Sequence, residues 1–183
     1  MKSLQGHFLV ASPQLADPNF YKSVVLMIKH DDEGAFGLIL NRPTDNTIHE
    51  VWKMVAEEEV NCPQPIFHGG PVSGPLVALH RVKSAAEAEV LPGLYFAAHK
   101  DKLQKIVSQS SKPYRFFTGY AGWAGGQLEG ELNAGGWLKA KVKKDLIFHQ
   151  GDDLWERIVR TIGADFLGQA IKPKHVPENP SLN

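Results

Sequence analysis

The chain has 183 residues, and its 20 Lys and Arg residues balance 20 Asp and Glu residues, so its formal net charge at pH 7 is zero. This length predicts roughly one domain with a substantial core, and the lack of a basic excess does not favour a dedicated nucleic-acid-binding protein. The single cysteine, Cys62, excludes an internal disulfide and a cysteine-based zinc site, and it indicates a reducing compartment.

The sequence predicts neither a membrane span nor a secretory signal. Its longest apolar runs, at 24–28 and 36–40, are far shorter than the roughly 20 residues that a membrane helix requires. The N-terminal segment contains a single Lys and no sustained hydrophobic stretch, unlike a signal peptide. We therefore expect a cytoplasmic protein that does not contact a membrane.

A β-hairpin is the first element that the pattern predicts. Residues 23–28 (SVVLMI) have the β-branched, apolar composition of a buried strand, and 36–40 (FGLIL) form a second such run. The polar residues between them end at Gly34, which can adopt the positive φ of a hairpin loop. The second strand should stop at Asn41-Arg42-Pro43, because proline lacks a backbone donor.

The first helix is predicted to begin at Thr47, where Thr47 and Glu50 have the spacing of a capping box. The apolar residues that follow form one helical stripe: Ile48, Val51, Trp52 and Val55.

Further elements follow from the same criteria. Strands are predicted at 66–67, 76–80, 94–97, 114–118, 137–142 and 146–148, and helices at 100–109, at 127–134 and from a cap at Asp152 to Gly163. Because strands outnumber helices without alternating strictly with them, we predict an α+β fold, a single compact domain with a mixed, mostly antiparallel β-sheet flanked by about four helices. We assign residues 1–168 to this domain and 169–183, rich in proline, to a flexible C-terminal tail.

Glycines are concentrated between Gly119 and Gly126, immediately before a predicted helix. Free backbone N–H groups at such a position can bind an anion. The segment is neither a P-loop nor a dinucleotide fingerprint, because the required spacings are absent. The alternative is that its glycines allow Tyr120 and Trp123 to pack tightly at a turn.

Signatures of catalysis are weak in this sequence. Glu129 and Glu131 would point about 200° apart on a helix, so they cannot form a close carboxylate pair. No G-x-S-x-G motif surrounds a serine, and no pair of histidines has metal-ligand spacing. We therefore expect no metal and no cofactor, and we assign no catalytic residue.

Polar turns at the ends of predicted strands are the candidate ligand-binding positions. Arg42 follows a buried strand, and His68 leads from a strand into a glycine turn, and both are places where ligand contacts are common. The predicted ligand-binding set is Asp17, Asn41, Arg42, His68, Gly69, Gly70, Gly119, Gly122, Trp123 and Gln127.

The same segments resemble the AlgH/YqgE family over residues 4–168. The motifs that carry the resemblance, in chain order, are GHFLVASP at 6–13, DPNF at 17–20, GLILNRP at 37–43, GGPV at 69–72, GYAGW at 119–123, QLE-x-E at 127–131, Trp137-Leu138 and the helix with Leu154-Trp155. The resemblance implies a bacterial cytosolic protein with a compact mixed α/β fold. It implies no catalytic residues, since the family is largely uncharacterised and its label of transcriptional regulator comes from an alginate-linked namesake. The sequence has no helix-turn-helix pattern and no net positive charge, so its residues do not support direct DNA binding.

Two functions remain open at this point. The favoured one is a non-enzymatic regulatory or interaction protein with an unidentified protein or small-molecule partner. The alternative is a protein, or an enzyme, that binds a small molecule or an anion through the Arg42 turn and the glycine-rich loop at 119–127. A cluster of the predicted turns around one cleft, with Arg42 pointing inward, would favour the alternative.

Overall fold

The computed structural model describes residues 2–56, 60–109 and 113–171. Its strands are β1 (His7–Ala11), β2 (Val24–Asp31), β3 (Gly34–Ile39), β4 (Pro43–Thr47), β5 (Pro65–His68), β6 (Val77–His80), β7 (Ala88–Leu91), β8 (Leu94–Ala97), β9 (Tyr114–Thr118), β10 (Ala121–Ala124) and β11 (Trp137–Lys141). Its helices are α1 (Ile48–Ala56), α2 (Lys100–Val107), α3 (Gln127–Asn133) and α4 (Leu154–Ile171), with a short 3-10 turn at Lys83–Ala85.

The strands form two sheets. Sheet I has five antiparallel strands in the order β10-β3-β2-β1-β11. Sheet II has six strands in the order β4-β5-β9-β6-β8-β7, and β5 pairs with β9 in parallel. The predicted α+β class, with four helices and mostly antiparallel pairing, is confirmed. The division into two sheets arises at the Asn41-Arg42-Pro43 turn, where the chain leaves β3 of sheet I and enters β4 of sheet II.

The largest hydrophobic cluster lies between the sheets and contains side chains from both, together with the first turns of α4. Its members include Phe8, Leu26 and Leu38 of sheet I, Phe67, Leu79 and Phe117 of sheet II, and Leu154 and Ile158 of α4. A second cluster joins α1 and α2 to the outer face of sheet II, and a third joins α3 to the outer face of sheet I. The order of layers is therefore α1 and α2, sheet II, sheet I, and α3.

Two local predictions are confirmed in detail. Strands β2 and β3 form the predicted hairpin, with Asp31 opposite Gly34 at its turn. At the start of α1, the Glu50 carboxylate accepts the Thr47 N–H at 2.7 Å, and the Glu50 N–H donates to the Thr47 hydroxyl oxygen at 3.2 Å. This reciprocal arrangement is the predicted capping box.

Three predictions about elements are wrong. Residues 146–148 form a turn, in which the carbonyl of the buried Ile147 accepts a hydrogen bond from the Arg115 side chain of β9. Residues 121–124, predicted as part of a loop, form β10 because the edge of β3 is available to pair with them. Helix α4 continues through Gly163 to Ile171, since one glycine costs a helix only about 1 kcal/mol. Of the predicted tail, residues 172–183 lie outside the described residues.

Candidate functional site

A cleft of about 580 Å³ lies on the outer side of sheet I, bounded by the segment after β1, by β10 and by α3. Four of the predicted ligand-binding residues line it, namely Asp17, Gly122, Trp123 and Gln127. We call it the Glu131 cleft, after the half-buried carboxylate that organises its base.

The Glu131 carboxylate accepts three hydrogen bonds from side chains of the cleft. Its Oε2 accepts the indole N–H of Trp123 at 2.9 Å and that of Trp137 at 2.8 Å. Its Oε1 accepts an amide N–H of Gln127 at 3.0 Å. Hydrogen bonds to an ionised group are roughly twice as strong as neutral ones, so this arrangement fixes the carboxylate in one orientation.

Sequence reasoning missed the role of Glu131. It correctly predicted that Glu129 and Glu131 diverge, because Glu129 instead contacts Nε2 of the buried His30 at 2.8 Å. The available signal was the i,i+4 spacing of Gln127 and Glu131, which places both on one helix face.

Aromatic rings form the wall behind this carboxylate. The Phe20 ring stacks on Trp123 with a centroid distance of 6.0 Å and meets Trp137 edge-on at 5.1 Å. The two indoles meet edge-on at 5.8 Å. Mutual packing in these geometries is favourable beyond the area it buries, so the wall is preorganised.

The segment between β1 and β2 supplies the opposite side of the cleft. The Asp17 carboxylate accepts the Asn19 N–H at 2.8 Å, and the Asp17 carbonyl accepts the Phe20 N–H at 3.0 Å. This turn holds Asp17 and Phe20 together on one side. The Ser12 N–H donates to Gly136 at 3.0 Å, which ties the start of the segment to the chain before β11.

Asn41 and Arg42 do not line the Glu131 cleft. Their side chains instead form hydrogen bonds with the backbone at the end of the segment between β1 and β2. The Asn41 amide donates to the Lys22 carbonyl at 2.8 Å and accepts the Val24 N–H at 2.9 Å. The Arg42 guanidinium donates to the Tyr21 carbonyl at 3.2 Å. Burial lowers the pKa of Arg42, and the nearby Asp17 charge opposes that shift. Arg42 therefore supports the segment beside the cleft and does not line it, so the condition that Arg42 point inward is not met.

The other four predicted residues lie at a close crossing of two chain segments. His68, Gly70 and Gly119 line a shallow depression of about 260 Å³ that shares Pro71 with the Glu131 cleft. A Cβ on Gly69 would lie 2.3 Å from the Gly119 carbonyl oxygen, and one on Gly70 would lie 2.2 Å from the Tyr120 carbonyl carbon. These contacts correspond to the packing alternative for the glycines.

The charges around the Glu131 cleft favour a cation. Its ionisable lining residues are Asp17 and Glu131, and within the described part of the chain no Lys, Arg or His lines it. One donor of the exposed glycine turn is already engaged, because the Ala124 N–H donates to the Gln127 side chain at 3.1 Å. Two carboxylates and a wall of aromatic rings are instead complementary to positive charge.

The described residues contain no group of three or more His, Cys, Asp or Glu side chains that could hold a metal ion. Within the same ranges, no helix combines the length and hydrophobicity needed to cross a membrane.

Comparisons with known proteins agree with the motifs. A family model described as AlgH-like matches residues 8–167. The UPF0301 protein CT0663 of Chlorobaculum tepidum is 35% identical over 185 residues, covering 97% of this chain and 95% of that protein. The UPF0301 protein of Myxococcus xanthus is 35% identical over 173 residues, covering 90% of this chain and 94% of that protein.

Two solved structures share the fold. The solution structure of the AlgH protein from Pseudomonas aeruginosa has a TM-score of 0.75 and 28% identity, and the match covers 96% of this chain and 100% of that chain. The crystal structure of protein DIP2367 from Corynebacterium diphtheriae has a TM-score of 0.72 and 27% identity, with 88% of each chain covered.

Proposed function

The chain belongs to the AlgH-like family, and we propose that this member is a non-enzymatic regulatory protein that binds a small organic cation in the Glu131 cleft. The observation that carries the proposal is the Glu131 carboxylate, held by two indole N–H groups and one amide at the base of a cleft of about 580 Å³. That volume falls within the range of about 300 to 1,000 Å³ typical of small-molecule sites.

The proposed ligand is an ammonium or a guanidinium compound with a short apolar body. Among the described residues, Oε1 of Glu131 accepts a hydrogen bond from the Gln127 amide alone, which leaves it able to accept another donor, and Asp17 supplies a second negative charge across the cleft. The aromatic wall formed by Phe20, Trp123 and Trp137 would contact the apolar body. Ordered carboxylates need no reorganisation when a cation binds, which lowers the cost of binding.

The regulatory part of the proposal follows from the position of the segment between β1 and β2. Its Asp17 side faces the cleft, while Lys22 at its far end forms an ion pair with Glu156 of α4 at 3.0 Å. A ligand held against Asp17 would stabilise the segment and, through it, the face formed with α4. Such a change could be recognised by a partner protein.

A thermal-shift comparison of matched compounds tests the binding site. Butylammonium, agmatine and choline should raise the melting temperature saturably, because a ligand that prefers the folded state stabilises it. Butanol and butyrate, with the same skeleton as butylammonium, should not. A shift with butyrate as large as that with butylammonium would contradict the proposal.

Two variants assign the binding to Glu131. Glu131→Gln retains an oxygen for the indoles but removes the charge, so it should abolish the shift. The control variant Glu33→Gln, which removes an exposed carboxylate on the β2–β3 turn, should retain the shift in melting temperature. Recovery of each compound unchanged after prolonged incubation would support a non-enzymatic role, and turnover would overturn that part of the proposal.

A further inference from the structure

Strand β10 is the first strand of sheet I, and one of its edges is unpaired among the described strands. Along an antiparallel strand, the backbone N–H and carbonyl of successive residues point to the two edges in turn. Tyr120 exchanges two hydrogen bonds with Val72 on the edge away from β3, at 2.9 and 3.0 Å. On the same edge the Ala124 N–H donates to the Gln127 side chain. Gly122 lies between them, so its N–H and carbonyl also point to that edge, where Gly122 lines the Glu131 cleft.

The backbone N–H and carbonyl of Gly122 have no hydrogen-bond partner on that edge within the described part of the chain. If the antiparallel pairing of Val72 with Tyr120 continued, Gly70 would be opposite Gly122. Gly70 instead packs over the preceding peptide, where a Cβ on Gly70 would lie 2.3 Å from the Ala121 nitrogen. The pairing is therefore interrupted at one position, which leaves a donor and an acceptor open together.

The opening at Gly122 suits one residue of an extended chain. Val72 occupies the edge on one side of it, and the Gln127 side chain occupies the edge on the other. A ligand residue opposite Gly122 can exchange both main-chain hydrogen bonds with it, as in a hydrogen-bonded antiparallel pair. Main-chain pairing of this kind is how exposed strand edges recognise extended peptides. The short opening selects a segment of a few residues, because a longer added strand would meet Val72.

A neighbour of the paired ligand residue would direct its side chain toward Glu131. Successive side chains of a strand alternate between its two faces, so this neighbour lies on the same face as Trp123. The Trp123 side chain reaches Glu131 from that face, with its indole N–H donating at 2.9 Å. A long side chain on the ligand can therefore reach the same carboxylate.

Arginine has the chemistry that this position requires. Its guanidinium carries five N–H donors in one plane, which can serve Oε1 of Glu131 and the Asp17 carboxylate together. The flat face of the guanidinium also stacks on aromatic rings such as those of the cleft wall. Within the described part of the chain, no Lys, Arg or His lines the cleft to repel it.

We propose that the organic cation of the Glu131 cleft is an arginine side chain in an extended segment of a partner protein, and that an adjacent residue of this segment pairs through its main chain with Gly122. The inference rests on the proposed function, because the guanidinium occupies the proposed cation site. A free organic cation would compete with this segment for Glu131, which links ligand binding to the release of a partner.

Calorimetry with matched compounds tests the proposal on the full chain. The peptide acetyl-Val-Arg-Val-amide should bind at least about tenfold more tightly than propylguanidinium, which is the arginine side chain alone, because the peptide adds two main-chain hydrogen bonds. The same peptide with citrulline in place of arginine keeps the shape without the charge and should bind at least about tenfold more weakly. Methylation of both valine nitrogens removes those donors and should reduce the affinity to that of propylguanidinium.

Hydrogen exchange measured by NMR locates the main-chain contact. Exchange of the Gly122 N–H should slow at least several-fold in the complex with the arginine peptide and remain unchanged with propylguanidinium. The Gly93 N–H is the control, because it donates to the Glu89 side chain outside the cleft and should exchange equally in all samples.

The outcomes distinguish this inference from the proposed function on which it rests. If propylguanidinium binds as tightly as the arginine peptide, or if exchange at Gly122 is unaltered by the peptide, the main-chain pairing is wrong and the cation site stands. If neither compound binds, or if Glu131→Gln leaves their affinities unchanged, the cation site is wrong and both proposals fail.

Discussion

The guanidinium of Arg115, on β9 of sheet II, donates a hydrogen bond to the Leu40 carbonyl at 2.7 Å, where the chain leaves sheet I. The same group donates to the carbonyls of Ile147 at 3.2 Å and His149 at 2.8 Å, and it lies 4.0 Å from the centroid of the Phe67 ring. Burial lowers the pKa of Arg115 to about 10, so the group stays cationic at neutral pH. Three carbonyl dipoles and a ring face therefore compensate a buried charge that joins both sheets to the turn before α4.

Arg115→Met should destabilise the protein by about 3 to 5 kcal/mol, because it leaves three carbonyls near the core without their donor. Urea unfolding monitored by tryptophan fluorescence measures this loss. Arg81→Met provides the control, since Arg81 is exposed and donates one hydrogen bond, to Lys144. That change should cost under about 1 kcal/mol. Equal losses in the two variants would show that Arg115 does not connect the sheets energetically.

His80 should make stability depend on pH. The ring is fully buried on β6, its Nδ1 accepts the Val82 N–H at 3.2 Å, and its Nε2 has no partner among the described residues. Desolvation lowers the pKa of His80 to about 4, against smaller opposing effects of the Val82 backbone and of Glu87. The folded state therefore favours the neutral ring. The stability that the neutral ring contributes to the folded state is fully present above pH 6.5 and is lost as the pH falls through 4.

The loss attributable to His80 between pH 7 and pH 4 should be about 3 kcal/mol. Urea unfolding at a series of pH values measures it as the difference between the wild type and His80→Asn. The asparagine oxygen can accept the Val82 N–H, and the side chain does not titrate. The other titratable groups contribute equally to the pH dependence of unfolding in both proteins. Parallel pH profiles for the two proteins would contradict the assignment.

Local signals in the sequence predicted the elements that depend on local chemistry. The β2–β3 hairpin follows from two apolar runs around Gly34, and α1 follows from a capping box and an apolar stripe. Strand β4, with the polar sequence PTDNT, has no such signal and exists because β5 pairs with it. The same holds for β10, whose strand character comes from the edge of β3. Pairing partners lie far away in sequence, so composition could not reveal them.

The site was predictable to the same extent. Trp123 and Gln127 were identified from one glycine-rich segment, and both line the Glu131 cleft. The contribution of Trp137 was not identified, because its indole reaches Glu131 from β11, an element with its own strand pattern. Convergence of β10, α3 and β11 on one carboxylate is a tertiary property. The supporting role of Arg42 likewise depends on a loop 21 residues earlier in the chain.

Asn41 should control the order of the segment beside the Glu131 cleft. Asn41→Ala removes the hydrogen bonds to the Lys22 carbonyl and the Val24 N–H, so we expect a loss of about 2 kcal/mol in unfolding free energy. Hydrogen exchange at Val24 should accelerate at the same time, because its amide loses its acceptor. Asn46→Ala, at an exposed position of β4, is the control and should alter neither property. Unchanged exchange at Val24 in the Asn41 variant would contradict the supporting role.

Two glycine substitutions should have opposite effects on stability. Gly70 has a φ of 153°, and a Cβ there would overlap the Tyr120 backbone at 2.2 Å. Gly70→Ala must therefore separate the two crossing segments, and we expect a loss of at least about 3 kcal/mol in unfolding free energy. Pro71, which lies between the Glu131 cleft and the shallow depression beside it, should be displaced as well. Gly130 lies exposed within α3, and a Cβ there would contact nothing.

Gly130→Ala should accordingly stabilise the protein by about 0.5 to 1 kcal/mol, because alanine favours the helix and restricts the unfolded chain. Chemical unfolding of both variants gives the comparison, and the NMR signals of the Trp123 and Trp137 indole N–H groups report on the cleft. Those signals should shift in Gly70→Ala and remain in place in Gly130→Ala. If Gly70→Ala were as stable as the wild type, the close crossing of the two glycine segments would not be required for the fold, and the case for a ligand role of those glycines would be strengthened.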